Sequence, residues 1–438
     1  MLDARPVQGR WRRLRWGANA GLIVLLFAIP WIRVGGEPLV LLDIPARKFH
    51  VFGLVIFPQE LYFLWLIVAG LALSLFFFTA LAGRLWCGWA CPQTVFTDVY
   101  AALARRIQRW KGSTRPVRVP LWRKALTHGV WLALSGVVGF HLVGYFRSPY
   151  DQLTALFHAG EVYRTSLAFQ IVVTLVTYLD FAIVRQTFCK YLCPYARFQE
   201  VLFDRDTLVI GYDSRRGEPR GKRGTTQGDC VNCGLCVAVC PTGIDIRNGM
   251  QLECIACTQC IDACNGVMQR LGRARNLIGY RSLVSLEGLH APRVVRPRVL
   301  GYGALLLALA LAFAFLLEQR QPMDLQVAHN AAMLFSTAAD GRIGNAFTLH
   351  IENRDRQPRS YRVRLEEAKR FELVAGLNPI WVPAIGTAQM NVFVLPRAGT
   401  RIGSADLRFV LEPVDGSSPP LSRRARYVIP GGIGAQES

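Results

Sequence analysis

Histidine is scarce in this 438-residue chain, with seven in all, and acidic residues are outnumbered by basic ones, 30 to 51. His128 and His141 share one apolar run but lie thirteen residues apart. On a helix that separation is about 19.5 Å of rise and roughly 140° of rotation, so they cannot share a ligand site. The other apolar runs hold no histidine, which argues against a bis-histidine haem. No strand-linked G-x-G-x-x-G and no P-loop occurs, so the sequence offers no nucleotide or flavin site. Methionines number six, and Met323 with Met333 is too thin a pair to define a copper site. There is no repeat of solenoid type. The first apolar run follows a basic segment, as a signal peptide would, but lacks a small-x-small cleavage site. It is read as an uncleaved anchor.

What the chain does have is apolar surface: it is 52% hydrophobic, with a mean hydropathy of +0.25. Leu61–Ala82, Ala125–Phe146, Leu167–Val184 and Val299–Leu317 are long apolar stretches, and Gly17–Val34 is a shorter one containing Pro30. A bilayer core takes about 20 mostly apolar helical residues, so five transmembrane helices are expected. Lys and Arg number five in residues 1–16, nine in 84–124 and sixteen in 188–298, against three in 33–60 and two in 147–166. The positive-inside rule then puts the N-terminus and residues 188–298 in the cytoplasm and residues beyond Leu317 outside. Much of the net charge of +21 is therefore topology signal, and no nucleic-acid partner is expected.

All twelve cysteines fall in or beside segments expected to be cytoplasmic, where thiols stay reduced and available to metals. Cys230, Cys233, Cys236 and Cys240, then Cys254, Cys257, Cys260 and Cys264, each spell C-x2-C-x2-C-x3-C. That is the spacing of bacterial two-cluster ferredoxins, in which the fourth cysteine of each run ligates the other cluster. The expected ligand sets are Cys230, Cys233, Cys236 and Cys264 for one [4Fe–4S] cluster, and Cys240, Cys254, Cys257 and Cys260 for the second. Gly234 and Gly243 would let the backbone approach the inorganic core. Zinc also takes four cysteines, but usually from two separated C-x2-C halves.

The remaining four form two C-x3-C-P pairs, Cys87/Cys91-Pro92 and Cys189/Cys193-Pro194, each at the end of an apolar run. On a helix, residues i and i+4 share a face. Matching depth lets the two pairs converge into a four-thiolate site suited to Cu(I), zinc or an iron–sulfur centre. The bland alternative is four buried small hydrophobes. His50, in Arg47–His50, reads as an interfacial polar residue.

The organisation expected is a membrane domain over residues 1–203 and a cytoplasmic ferredoxin module over 204–298. A fifth membrane helix follows at 299–318, and an outer domain at 319–438. An outer loop occupies residues 35–60, an amphipathic helix runs through Ala101–Trp110, and prolines at Ser113–Pro120 break it. Residues 204–229 are a flexible approach to the clusters. Ala346–Ile351, Tyr361–Leu365, Met390–Leu395, Leu407–Leu411 and Arg426–Ile429 read as strands, with turns at Asp340-Gly341 and Asp415-Gly416. A small antiparallel β-sandwich of about 100 residues fits them. Gly431–Gly434 reads as a frayed tail.

The stretches Trp86–Thr94, Phe188–Tyr195 and Cys236–Arg247, with Asp43–His50 and Asp340–Asn345, closely resemble the cytochrome c oxidase accessory protein family of CcoG, FixG and RdxA. The resemblance covers nearly the whole chain. It implies a multi-pass protein of the bacterial inner membrane with a periplasmic immunoglobulin-like C-terminal domain. It also implies assembly of a cbb3-type haem–copper oxidase by reduction of Cu(II) to Cu(I), with Cys87, Cys91, Cys189 and Cys193 matching the family's membrane motifs. Oxidase subunits or copper chaperones, membrane lipid and an unidentified electron donor would be the partners. Asn265, where the family has Asp, and the Arg-rich Leu271–Tyr280 depart from the pattern. Two other classes share the layout: a quinol-oxidising ferredoxin feeding a periplasmic reductase, and a scaffold whose clusters only stabilise the fold. Redox titration separates them.

Overall fold

The computed structural model describes residues 4–109, 119–155, 161–221, 228–338, 340–399 and 403–429. The expected break at Ser113–Pro120 lies mostly outside these residues, as do part of the 204–229 approach and the whole Gly431–Gly434 tail. The chain divides into two compact units, residues 1–313 and 314–438.

The helices that place the site are α1 (Arg10–Ala28), α2 (Leu61–Ala82), α3 (Leu85–Trp89), α4 (Pro92–Gln108), α5 (Leu121–Val143), α6 (Glu161–Tyr178), α7 (Pro194–Leu202), α8 (Gln259–Arg270) and α9 (Pro297–Glu318). Among the described residues, five helical spans are long and apolar enough to cross a bilayer: Arg10–Trp31, Pro58–Ala82, Leu121–Val143, Arg164–Val184 and Pro297–Glu318. Their large side chains, such as Trp65 and Leu71 on α2 and Leu307 and Leu311 on α9, stand exposed. In water that would be a large uncovered apolar surface; in lipid it is the expected outer face. The chain is therefore a membrane protein, with five such helices among the described residues.

Helix α2 stops at Gly83, whose φ of 55° suits glycine. A Cβ there would also lie 2.8 Å from the Leu208 carbonyl oxygen. On α5, Gly139 admits Thr174 of α6 at a distance a Cβ would close to 2.8 Å. Helix α4 begins at Pro92, earlier than expected, because proline fits the first helical position. It packs on α5 through a 2.7 Å Tyr100–Ser135 hydrogen bond and a 3.0 Å bond from Trp131 Nε1 to the Tyr100 carbonyl. The span ending at Val184 finishes in a π-helical turn, Leu179–Val184.

Residues 35–60 are not a plain loop. Val40–Asp43, Lys48–Val51 and Leu54–Ile56 form a three-stranded antiparallel sheet. His50 is buried in its middle strand, with Nδ1 3.4 Å from Glu37. Burial pulls its pKa below the ordinary histidine value, against the opposing charge of Glu37.

The cysteine-rich segment folds around a strand pair, Val209–Tyr212 with Ile278–Arg281, and helix α8. Ile210, Ile246, Ile261, Val267, Met268, Leu277 and Ile278 make its core.

The second unit is all β. One sheet pairs Phe371–Ala375, Gly386–Pro396, Ile343–Asn353 and Met323–His329, with Phe335–Thr337 also on Ile343–Asn353; the other pairs Ile380–Val382, Arg359–Leu365, Ala405–Pro413 and Leu421–Tyr427. Alternate residues of both sheets, among them Phe347, Leu349, Val363, Val392, Phe409 and Leu411, fill the core between them. The last strand ends at Tyr427, two residues before the expected end. Four short or irregularly patterned strands, at Met323–His329, Phe335–Thr337, Phe371–Ala375 and Ile380–Val382, were not legible from alternation.

Candidate functional site

The eight ferredoxin-type cysteines line two cavities. Cys230, Cys233, Cys236 and Cys264 line the first, with Val231, Leu235, Val267, Met268, Leu277 and Ile278 around them. Cys240, Cys254, Cys257 and Cys260 line the second, with Ile210, Ile244, Ile246 and Ile255, and Cys236 borders it as well. The fourth cysteine of each sequence run thus sits in the cavity of the other run. The surroundings are mostly apolar, which limits water access, but Tyr212 and Arg247 also line the first cavity and Thr242 and Thr258 the second. Among the described residues, no three His, Cys, Asp or Glu side chains close on the geometry of a single metal ion. A cubane sets its thiolates apart around a cluster, and each of these two linings offers four cysteines for one.

The local backbone explains the approach of each set. Gly234 and Gly243 have φ of 67° and 72°, a left-handed conformation open to glycine. Cys233 is exposed, while Cys257 is buried. Burial pushes the Cys254 thiol up to about 12, Cys264 to about 12 and Cys257 to about 11, the last opposed by the charge of Arg15. Without a metal these thiols stay protonated at neutral pH.

Beside the first cavity, Arg247 grips Asp245 at 2.8 and 2.7 Å and donates to Asn232 at 2.6 Å. Asn265 accepts from the Asn276 backbone at 2.7 Å. An aspartate here could accept that same bond but could not make the Asn265 amide's 3.4 Å donation to Asn276 Oδ1.

The membrane cysteine pairs do not lie on continuous helices. Cys87 is in α3, which ends at Trp89; Cys91 is extended, with ψ of 125°, and caps α4. Cys189 lies in a short π-helical turn, Phe188–Leu192, and Cys193, with ψ of 113°, caps α7. The residue before proline is driven out of the helical region, so the proline that made each motif distinctive also breaks the i, i+4 geometry. Each pair is a helical turn feeding a new helix.

The two pairs come into one neighbourhood. Cys87 and Cys91 both feel Cys193, and Cys189 feels Cys87, Cys91 and Cys193 electrostatically. Burial pushes Cys87 up to about 11 and Cys189 to about 12. Cys87 Sγ lies 3.4 Å from the Gln199 amide nitrogen, which donates to it. Gln93 donates to Asp180 at 3.0 Å and to the Arg185 carbonyl at 2.8 Å, holding α4 against the fourth membrane span. Asp180 was not singled out in the sequence, although an acid in an apolar run is itself a signal of function. Gln199 carried no such signal.

The membrane motif also touches the second cavity. Gly88, between Cys87 and Cys91, packs on the Cys254–Cys257 loop so closely that a Cβ would lie 2.4 Å from the Ala256 carbonyl oxygen. Buried Arg84 donates to the Cys254 carbonyl at 3.4 Å and to the Ala196 carbonyl on α7 at 2.9 Å. Trp89 Nε1 donates to Tyr280 at 3.1 Å, and Trp11 packs on both rings. Arg15, fully buried, donates to the Gly88 carbonyl at 2.6 Å and pairs with Asp98 at 2.8 Å. Asp262 of α8 accepts from the Trp11 and Arg12 backbone at 3.3 and 2.7 Å, capping α1.

Comparison with known proteins agrees with this layout. Residues 184–283 match a 4Fe-4S dicluster domain family, 61–111 a 4Fe-4S binding domain family, and 313–430 the Ig-like fold at the C-terminus of FixG. Protein RdxA of Cereibacter sphaeroides is 36% identical over 95% of this chain and 90% of its own length. RdxB of the same organism is 35% identical, covering 93% and 92%. The nitrogen fixation protein FixG of Rhizobium meliloti is 30% identical, covering 98% and 93%. With its two cysteine-lined cavities, five membrane-length helices and Ig-like domain, the chain belongs to the FixG/RdxA family of membrane-bound iron–sulfur electron-transfer proteins.

Proposed function

We propose that this protein passes single electrons from its soluble side to the membrane cysteine pairs, where Cu(II) is reduced to Cu(I) for assembly of a cbb3-type cytochrome oxidase. The observation that carries the reading is the contact of Gly88 with the Cys254–Cys257 loop. It joins the copper-competent thiols to one cluster site and not the other. Cys230, Cys233, Cys236 and Cys264 would hold the entry cluster, at the exposed Cys233 edge; Cys240, Cys254, Cys257 and Cys260 would hold the exit cluster. A [4Fe–4S] cluster, when bound, cycles by one electron between its oxidised and reduced forms.

One electron converts one Cu(II) to Cu(I), so the stoichiometry matches. Soft thiolates prefer Cu(I), and binding there raises the copper couple's potential. Each thiol must give up a proton when it takes the metal. Two sulfurs suffice for Cu(I), so the reading does not require all four thiols to close on one ion. The charge bias of the inter-helix segments supports a cytoplasmic N-terminus and cluster module and a periplasmic Ig-like domain in a bacterial inner membrane.

The test is the double variant Cys87→Ser, Cys91→Ser in anaerobically purified, cluster-loaded protein. Cu(II) reduction should fall to background while both [4Fe–4S] EPR signals persist. Wild-type reduction by the double variant would place copper elsewhere.

A further inference from the structure

Gln199, on α7, is fully buried, and its side-chain amide meets a sulfur of the other membrane cysteine motif. Cys87 Sγ lies 3.4 Å from Nε2 and 3.6 Å from Oε1. The sulfur therefore stands across the edge of the amide, within reach of both its donor and its acceptor. A thiol can donate its S–H to Oε1, and a thiolate can accept from Nε2. Helix α7 is held where it makes this contact. Tyr195, one turn before Gln199, hydrogen-bonds the buried Thr79 of α2, and buried Arg84 donates to the Ala196 carbonyl at 2.9 Å. Cys193 caps the same helix. One nine-residue helix thus carries a cysteine of one pair and meets a cysteine of the other.

We infer that Gln199 is a positioning residue for copper: its amide N–H fixes the Cys87 sulfur and biases the metal held there toward Cu(I). The inference rests on the copper reading above and adds the group that acts through Cys87. A neutral thiol is a weak hydrogen-bonding partner, so a fully buried amide set against one gains little from it. A metal-bound thiolate is a charged acceptor, and a hydrogen bond to a charged group is about twice as strong. The contact is worth most when the sulfur holds metal. It also draws electron density from that sulfur. A less electron-rich sulfur loses more of its hold on Cu(II) than on Cu(I), so the copper couple's potential rises.

When copper binds, the Cys87 S–H bond breaks, the sulfur keeps the electron pair for its bond to the metal, and the proton leaves to bulk water. Nε2 is already beside the sulfur, so α7 need not move. The same polarity recurs at Cys91, whose sulfur accepts from the Gln93 and Thr94 backbone amides at the start of α4. Both sulfurs of the first pair therefore face N–H donors, which suits a pair that turns anionic as it takes a metal.

The experiment gives Cu(I) alone to full-length, cluster-loaded protein in detergent, without oxygen. Gln199→Met keeps the length of the side chain and removes the donor. Its Cu(I) affinity, read by competition with a chromophoric chelator, should fall about tenfold or more, as loss of a partner behind a metal ligand does. The midpoint potential of the bound copper, followed by the Cu(II) EPR signal, should fall as well, by about 59 mV if the preference for Cu(I) drops tenfold. Tyr195→Phe loosens the same helix but leaves the amide in place, and should keep the parent potential. Visible absorbance should show clusters loaded in each variant. Where Gln199→Met fails to load them, Gln199→Asn, whose amide is too short to reach the sulfur, carries the same expectation. Parent affinity and potential in the Gln199 variant, while Cys87→Ser weakens copper binding, overturns this proposal alone. An equal fall of potential in Tyr195→Phe does the same. Parent Cu(I) affinity in Cys87→Ser overturns the copper reading and this proposal with it.

Discussion

Replacing Gly88 by alanine adds one carbon at the tightest point between the membrane motif and the cluster-binding loop. That carbon would stand 2.4 Å from the Ala256 carbonyl oxygen and 2.7 Å from that of Ile255, about 1 Å short of the 3.4 Å at which ordinary contact begins. Both obstacles are backbone, so no side chain can rotate away. Either α3 or the loop must move by about an ångström. Overpacking of this size costs about 1–3 kcal/mol. The same shift strains the Arg15 bond to the Gly88 carbonyl. EPR of the reduced protein should show the signal assigned to Cys240, Cys254, Cys257 and Cys260 altered, and the signal assigned to Cys230, Cys233, Cys236 and Cys264 unchanged. Cu(II) reduction should slow. The matched control is Gly266→Ala in α8, where an added Cβ meets nothing within 4 Å. A helix-interior glycine replaced by alanine gains about 0.5–1 kcal/mol, so this variant should be as active as the parent or more stable. If Gly88→Ala keeps wild-type spectra and rate, or if Gly266→Ala shares its defect, the contact is not the junction claimed.

Other outcomes follow from neighbouring contacts. Cys240→Ser should perturb the cluster of Cys254, Cys257 and Cys260; EPR in which only the cluster of Cys230, Cys233 and Cys236 changes would refute the crossed ligand sets. Asp262→Ala removes both acceptors from the first turn of α1 and should cost about 1–2 kcal/mol, with faster amide exchange at Trp11 and Arg12; unchanged exchange would show that the cap is idle. Arg15→Met removes a cation that acts on Cys257 and should lower the midpoint potential of the second cluster in an EPR-monitored titration; a rise would reverse the electrostatic argument. A periplasmic reporter fused after Ser438 should be active, and an active cytoplasmic reporter there would sink the five-helix orientation.

Much of the architecture was legible because its signals are local. The apolar runs at Leu61–Ala82 and Val299–Leu317 coincide closely with α2 and α9, since lipid selects for length and composition along one segment. In Ile343–Asn353 the apolar Phe347, Leu349 and Ile351 alternate with polar residues, although nearly the whole strand is buried, and Gly386–Pro396 alternates buried with more exposed positions. The sheet in residues 35–60 was hidden because its strands are three or four residues long and interrupted by prolines and turns. The membrane cysteines show a different failure. The four-residue spacing was read as one helical face, but Pro92 and Pro194 restrict the residue before them, and that backbone preference overrides the helical periodicity. What joins the site together was out of reach: Asp262 caps a helix 250 residues earlier in the chain, and Gly88 recognises a backbone surface with no side chain of its own.

The cap on α1 also sets a clock for biogenesis. Arg12 and Asp262 are 250 residues apart, and a ribosome adding about 5–20 residues per second takes roughly 12–50 s to cover that distance. Throughout that interval the first membrane helix is made, but its N-terminal amides lack the partner that fixes them. The Cys254–Cys257 loop likewise emerges only after its landing surface on α3 exists. Cofactor insertion thus has a window, after Cys264 leaves the ribosome and before the basic arm folds down over α8. A chain that closed this latch early would trap its thiols protonated and buried, so the timing of cluster delivery, and not only its availability, should decide the yield of active protein.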